Sequence, residues 1–497
     1  MKCAFLLQRQ FAYVGHYLAE TLKRDHGFEN FCGYVYLRSS FEFLKQQKDI
    51  SYTSLILDQD IHERYKTEKL DLDFLRDLEK KIGLPSLWPY LIADRVMLQD
   101  QMIREYPHEQ LKYTHEELLR MLQVRAKAMI EFFERERPDV VFGIPPGALG
   151  SMLFFHLGKH YGAKTFFVVP TNVPNRYLLS EDYTTFTPVD ARFRTDREKL
   201  KQSPSWAWAE NFLREFRNKP KPNFEKTTPT HQPVTRTQQF KFVNPKIFGS
   251  RISTIAKSLV RHFRTSERND YDYVNPFLQL LDLLKRKLRN IRGNDDLYDS
   301  FDPNDDFVFF PLHYEPELSL LVLAPYYTDQ ITLIRQIARS LPVGMKLAVK
   351  EHPAMAQYRA RSFYKELKKI PNLKLIPPTF TSFDVTTHAK LVVTITGTVG
   401  WEATLFGIPV ISFGHQNFNA LKNVTYCHEI ESLPKIIADR IANPSYDEED
   451  TIAYLAALYE ESFEMNLKHV WEEETDQERR KRDITPLADA CARAFRA

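Results

Sequence analysis

Residues 394–414 read Thr-Ile-Thr-Gly-Thr-Val-Gly-Trp-Glu-Ala-Thr-Leu-Phe-Gly-Ile-Pro-Val-Ile-Ser-Phe-Gly. The apolar run that starts at Leu391 reads as a buried strand ending at Thr396. Gly397-Thr398 then opens a helix over Val399–Phe406, and Gly407-Ile408-Pro409 returns the chain to a second buried strand, Val410–Phe413. Strand, polar turn, helix, glycine turn and strand form the repeating unit of a parallel sheet with helices on its faces.

The same alternation extends in both directions. Upstream lie strand Phe307–Phe310, a helix over Asp329–Leu341 with Ile331, Ile334, Ile337 and Leu341 in register, strand Lys346–Lys350, helix Ala360–Lys368 and strand Leu373–Ile376. The first 200 residues repeat it with strands Cys3–Leu7, Tyr34–Leu37, Ser54–Asp58, Asp139–Ile144 and Thr165–Val169. Helices Val14–Lys23 and His115–Arg135 lie among them, the second with Leu118, Leu119, Leu122, Ala126, Met129 and Ile130 on one face. Expected is an α/β chain of two Rossmann-like domains, 1–202 and 307–450, with closing helices over Thr451–Val470 and Asp476–Phe495. Residues 203–306 form a basic helical segment between them, ending in an acidic stretch, Asp295–Asp306, that reads as a solvated linker.

Composition narrows the function classes. The 497 residues are 27% charged and 43% hydrophobic, with a net charge of +3, the profile of a globular protein with ample core. The apolar runs fall short of the ~20 residues a spanning helix needs, and the N-terminus reads as a first strand rather than a signal peptide. Four scattered cysteines with no CxxC pattern predict neither a zinc site nor a disulfide framework, so the expected location is cytoplasmic. The charge is uneven. Lys201–Gly293 holds 19 Lys and Arg against 7 Asp and Glu, a net of +12, leaving 49 basic and 58 acidic residues elsewhere. Basic amphipathic helices without an aromatic stacking platform fit a membrane surface better than nucleic acid. An anionic membrane docked through 251–292, at the inner face of the cell membrane, is therefore expected, and no nucleic acid. A helical bracket packed against the domains is the competing reading.

Three blocks carry chemistry. In the first, free N–H groups at the helix start suit a phosphate, joined by hydroxyls on Thr396 and Thr398. Gly397 and Gly400 allow close backbone approach, although glycines there can equally serve packing. Glu402 lies one turn beyond Thr398, where a carboxylate can take two ribose hydroxyls. The second block, Val349-Lys350-Glu351-His352-Pro353, ends a strand, the edge at which open α/β sheets bind ligands. Lys350 can neutralise charge, His352 can donate to a phosphate or base edge, and Pro353 stiffens the turn. In the third, Phe310-Pro311-Leu312-His313-Tyr314-Glu315-Pro316-Glu317, two prolines fix a loop with His313, Glu315 and Glu317 as candidate general bases or acceptor-orienting groups.

Taken in order, FPLHYEPE, VKEHP, TITGTVGWEA and GIPVISFG resemble the capsule polysaccharide biosynthesis family over about Phe307–Leu433. The likeness is much weaker over the first 200 residues, and no family pattern is visible over Ser203–Gly293. The resemblance implies the GT-B architecture, two Rossmann-like domains facing a cleft. It also implies a retaining glycosyltransferase that moves a sugar such as 3-deoxy-manno-octulosonic acid (Kdo) from a CMP-linked donor to a glycan or lipid-linked acceptor. Carried over residue by residue, it implies that His352-Pro353 meets the CMP moiety, that Thr396, Gly397 and Thr398 hold its phosphate, and that Glu402 lies near the ribose.

Such a reaction needs a stabilised departing phosphate and a deprotonated acceptor hydroxyl. Lys350, His352 and the Thr396–Thr398 loop can supply the first without metal or cofactor. On the acceptor side the first domain offers His16, and after its last strand Arg176, Glu181 and Asp182, with Arg176 suited to a carboxylate or phosphate. Two other readings stay open. One is a polyol-phosphate transferase using a CDP-linked donor; the other is a non-catalytic nucleotide-binding scaffold.

Overall fold

The computed structural model describes residues 1–8, 11–94, 113–221, 276–315, 317–355, 358–466 and 477–496, with scattered positions between 253 and 263. Most of 251–275, part of the stretch expected to dock on a membrane, lies outside the described residues. The chain forms two compact units. One takes the described residues of 1–94, 113–209 and 453–496; the other takes those of 210–452.

The first unit is built on a seven-stranded sheet of β1 (Lys2–Leu7), β2 (Asn30–Val35), β3 (Tyr52–Leu57), β4 (Val140–Gly143), β5 (Lys164–Pro170), β6 (Arg176–Ser180) and β13 (Phe463–Glu464). Its order is β13-β6-β5-β4-β1-β2-β3, parallel except where β6 runs antiparallel to both neighbours. The second unit holds a six-stranded, wholly parallel sheet of β7 (Phe307–Pro311), β8 (Lys346–Lys350), β9 (Leu373–Ile376), β10 (Leu391–Thr394), β11 (Val410–Ser412) and β12 (Val424–Tyr426), in the order β12-β11-β10-β7-β8-β9. Each unit is thus the expected Rossmann-like fold. In each sheet the strand order reverses once, at β1/β4 and at β7/β10. The strands at the second reversal read FVFF and LVVT because helices cover both faces and leave no side for polar residues.

Several elements differ from the sequence reading. The helix expected over Thr451–Val470 stops at Glu461, and β13 follows at once. Ser462 is drawn away by Arg176, whose guanidinium donates to Ser462 Oγ, to Ser462 O and to Tyr459 O at 2.7–2.8 Å. Helix Gln477–Arg496 packs back into the first core, where the Phe495 ring meets Phe28, Phe142 and Phe166 at 5.5–6.1 Å. Asp295–Asp306 is exposed at Asp295, Asp296, Asp302 and Asp306, as expected of a solvated linker, but it is also tied to the second unit by ion pairs. Asp299 accepts from Lys368 and from Leu375 N, Asp305 from Lys346 and Lys374, and Asp296 pairs with Arg361. All four cysteines are free and buried.

The first unit buries one ion pair completely. Arg125, midway along helix His115–Glu136, donates from Nε and Nη2 to the two carboxylate oxygens of Asp58 at 2.8 and 2.9 Å, and from Nη1 to Met121 O. Tyr34 OH donates to the same carboxylate, while His62 Nδ1 lies 3.1 Å from Arg125 Nη2. Burial, then the Arg125 charge, pushes the His62 pKa down to about 3, so its neutral ring can accept that hydrogen bond. A Cβ at Gly150 would stand 1.9 Å from Tyr34 Oη, so only glycine lets helix Leu149–His160 lie against this cluster. Arg125→Ala would strand the Asp58 charge in the core. The expected cost is about 3–5 kcal/mol in urea unfolding, and a loss below 1 kcal/mol would contradict this role for the pair.

Candidate functional site

Ligands of open α/β sheets settle beyond the carboxyl ends of the strands where the order reverses. In the second unit that place lies above β7 and β10. The loops that leave them hold His313 and Thr396–Thr398, and the loop after neighbouring β8 holds Glu351, His352 and Pro353. The three blocks singled out in the sequence therefore meet at one sheet edge. By contrast, a concavity of about 850 Å³ in the first unit, lined by Met1, Pro138, Asp139 and Lys164 among others, lies at the amino ends of its strands.

His313 is buried and ties two of the loops together. Its Nε2 accepts from Thr396 N and lies as close to Thr394 Oγ1, both at 3.1 Å. Its backbone exchanges hydrogen bonds with the Gln330 side chain. Burial, then the charges of Arg359 and His352, lowers its pKa to about 3, so the ring is neutral with its proton on Nδ1. That Nδ1 is buried and has no hydrogen-bond partner among the described residues. His313 is thus held as an anchor of the Thr396 loop and not as a free base.

Glu315 and Glu351 flank a residue that the sequence reading missed. Arg359 is fully enclosed and donates to Glu315 Oε2 at 2.9 Å, to His313 O at 2.6 Å and to Glu351 Oε1. Tyr364 OH holds the other Glu351 oxygen at 2.7 Å. Glu315 is thereby committed to an ion pair, which removes it from the role of general base. The only sequence signal for Arg359 was indirect: two glutamates in loops bound for the sheet edge need a cation when buried. Glu317 is exposed and accepts from Ser319 Oγ at 2.9 Å. His352 is half-buried with its ring 5.7 Å from that of Tyr314, and Pro353 starts a short 3₁₀ turn.

Gly397 caps helix Thr398–Leu405 with no side-chain cap, so the helix start presents bare N–H groups. Gly397 N donates to Thr394 Oγ1, and a Cβ there would stand 3.0–3.1 Å from Thr394 Oγ1 and His313 Nε2. Gly400 is pressed against Phe418 and Thr394, where a Cβ would fall 2.8–2.9 Å away. Both glycines answer to close packing within the protein. The Thr396 hydroxyl is spent on Ser319 O at 3.0 Å, whereas Thr398 is partly open.

Two ionisable groups here lack partners. Lys350, at the end of β8, is 3% exposed, and its ammonium makes no hydrogen bond or ion pair among the described residues; burial pushes its pKa down. Glu402, 9% exposed on the first turns of its helix, likewise has none, and burial raises its pKa to about 8. Among the described residues no group of His, Cys, Asp and Glu has an arrangement fit for a metal ion.

The first-unit residues are not gathered into one cluster. His16 is buried with Nδ1 3.3 Å from Tyr52 OH and Nε2 3.4 Å from Glu20. Arg176 was expected to face an acceptor anion. Its guanidinium is instead occupied by Ser462 and Tyr459 and lies over the Tyr459 ring at 4.0 Å. Glu181 is exposed, and Asp182 folds its own turn through Thr184 N and Oγ1 at 2.7 Å.

Residues 201–432 match the family model described as capsule polysaccharide biosynthesis protein. The match starts near the first residue of the basic segment and so includes Ser203–Gly293, a stretch without a recognisable family motif. No curated protein sequence matches the chain. Among solved structures it is similar to a Thermosulfurimonas dismutans KpsC, beta Kdo 2,4 transferase, at 14% identity over 69% of this chain and 89% of that one, with a TM-score of 0.38. A second from that organism, the KpsC beta Kdo 2,7 transferase, shows 11% identity over 76% and 97%, with a TM-score of 0.36. A putative UDP-N-acetylglucosamine 2-epimerase from Listeria monocytogenes shows 12% identity over 96% and 98%, with a TM-score of 0.26.

The buried Glu402 makes stability depend on pH with a definite sign. Its folded pKa lies above the ordinary carboxylate value, so its favourable contribution is complete below about pH 4.5 and is lost as the pH rises towards 8. Glu402→Gln keeps the neutral shape. Thermal unfolding should place this variant level with the parent at pH 5 and several degrees above it at pH 8.5. Equal melting temperatures at both values would show that the carboxyl is not held neutral.

Proposed function

We propose that the chain is a glycosyltransferase of surface, capsule-type polysaccharide assembly, which takes a sugar from a nucleotide-activated donor to a glycan or lipid-linked acceptor. One observation carries this reading: the loops that hold His313, His352 and Thr396–Thr398 leave β7, β8 and β10 at one sheet edge, where a helix starts without a side-chain cap, and among the described residues Lys350, Glu402 and His313 Nδ1 are enclosed with no hydrogen-bond partner. Buried polar groups of that kind cost free energy until something satisfies them. A nucleotide supplies the complement, with a phosphate for Lys350, His352 and the N–H groups at Thr398, and ribose hydroxyls for Glu402.

CMP is the favoured nucleotide. A single phosphate matches one lysine and one helix start, and the family resemblance points to CMP-linked Kdo as donor. The chemistry then follows from charge. As the sugar–phosphate bond breaks, negative charge gathers on the leaving phosphate, and Lys350, His352 and the fixed N–H dipoles stabilise it without reorganising. Of the two glutamates in the Phe310–Glu317 block, Glu317 is the one free to take a proton from the acceptor, because Glu315 is paired with Arg359.

The reading is tested by thermal shift with CMP-, CDP- and UDP-linked donors, followed by product analysis with CMP-Kdo and CDP-glycerol. Stabilisation by CMP and transfer of Kdo support it. Transfer from CDP-glycerol would replace it with the polyol-phosphate reaction, and binding without any turnover would leave a scaffold. Calorimetry on variants sharpens the site. His352→Ala and Glu402→Ala should fold normally and lose CMP affinity by roughly tenfold or more. Lys350→Met should lose affinity while gaining thermal stability, because an uncompensated buried charge has gone. Unchanged CMP affinity in all three would overturn the assignment.

A further inference from the structure

Helix Pro276–Arg292 is mounted the wrong way round for a globular protein. Amphipathic surface helices turn their apolar stripe to the core. Here Phe277, Leu281, Leu284, Leu288 and Ile291, spaced 4, 3, 4 and 3 apart on one face, are each 43–67% exposed. The opposite, polar face is the one held by the second unit. Asp282 is buried and pairs with Arg286 at 2.7 Å; Arg286 donates to Tyr358 OH at 3.0 Å and covers that ring, and Arg289 donates to Tyr358 O at 2.7 Å. Beside the helix, Val260 and Phe263 are also at least half exposed, and the His262 ring lies 5.8 Å from Phe277. The apolar surface is therefore wider than one stripe, and a contiguous patch of this kind marks an interaction site.

The charges beside the stripe select its occupant. At 100° per residue, Lys287 borders it on one side, and Lys285 and Arg292 border it on the other. A 3.5-residue spacing also permits pairing with a second copy. In such a pair these three cations would occupy the flanking positions that face the partner helix, and like charges there repel. An apolar ridge with basic borders, about 25 Å long, instead suits a surface with an apolar interior and an anionic rim. We propose that this helix lies in the headgroup region of an anionic lipid membrane, with Phe277, Leu281, Leu284, Leu288 and Ile291 inserted and Lys285, Lys287 and Arg292 at the level of the lipid phosphates. Among the described residues no helix is long and apolar enough to cross a membrane, so the contact is with one leaflet.

The test is flotation of the full chain with phosphatidylcholine vesicles, with and without phosphatidylglycerol, and it needs no nucleotide or sugar. The chain should float with the anionic vesicles, stay behind with the neutral ones, and be released by high salt. Leu284→Gln with Leu288→Gln should abolish flotation at an unchanged melting temperature, since both side chains are more than half exposed. Lys285→Gln with Lys287→Gln should weaken it by roughly thirtyfold. No flotation with anionic vesicles at low salt overturns the proposal, as does equal flotation with neutral ones. A dimer by sedimentation that the leucine variant dissociates would also overturn it, because a second copy would then cover the stripe.

Discussion

The candidate site depends on one buried guanidinium. Arg359 binds a carboxylate from the loop after β7, a carboxylate from the loop after β8 and the carbonyl of His313. Those loops leave neighbouring strands, and nothing in the strands themselves fixes their course beyond Pro311 and Lys350. Arg359 does so because leaving Glu315 and Glu351 unpaired inside the unit would cost several kcal/mol each. Through His313 the order passes to a third loop, since Thr396 N and Thr394 Oγ1 both bond its Nε2. One cation therefore sets three loops in register.

The same arrangement explains which groups remain free. Glu315 and Glu351 are consumed by Arg359, and the Thr396 hydroxyl by Ser319. Among the described residues, Lys350, Glu402 and His313 Nδ1 are enclosed without being consumed. A protein has no structural reason to hold an ammonium and a carboxyl apart and unpaired in its interior, and perturbed titratable groups of this kind gather where ligands bind. Rigid scaffold beneath and unsatisfied groups above are what the proposed phosphate site requires.

The sheets were legible in the sequence because their strands are buried on both faces. Lys346–Lys350 and Leu373–Ile376 stand where their apolar runs put them, and the helix over His115–Arg135 is extended by a single residue. Periodicity says nothing of partners, so Arg125 passed unnoticed on a helix read for its apolar face, and Arg359 passed as a loop residue. The antiparallel strands at the end of the first sheet failed for a related reason. Arg-Tyr-Leu-Leu-Ser at 176–180 is short and mixed in polarity, and its strand character comes from pairing with β5 and β13. The strand–turn–helix of the 394–414 block was legible, since turn residues and a helix start are local features. The acceptor-side residues were chosen for type alone, and Arg176 shows the weakness of that: an arginine after a strand can as readily hold a chain end as a substrate.

The basic segment and the site are joined by adjacent residues. Tyr358, gripped by Arg286 and Arg289 from helix Pro276–Arg292, immediately precedes Arg359. Two residues further on, Arg361 binds Gly293 O and Asp296, and Lys368 binds Asp299. The helix with the outward apolar stripe is thus fastened to the segment that supplies the clamp of the site loops. Its polar face cannot turn outward without breaking the grip on Tyr358, next to that clamp. The cost of exposing five large apolar side chains is then tied to the integrity of the site. A sequence free to vary would relieve that exposure with polar residues at 281, 284 and 288, so the stripe is best understood as a surface the protein uses.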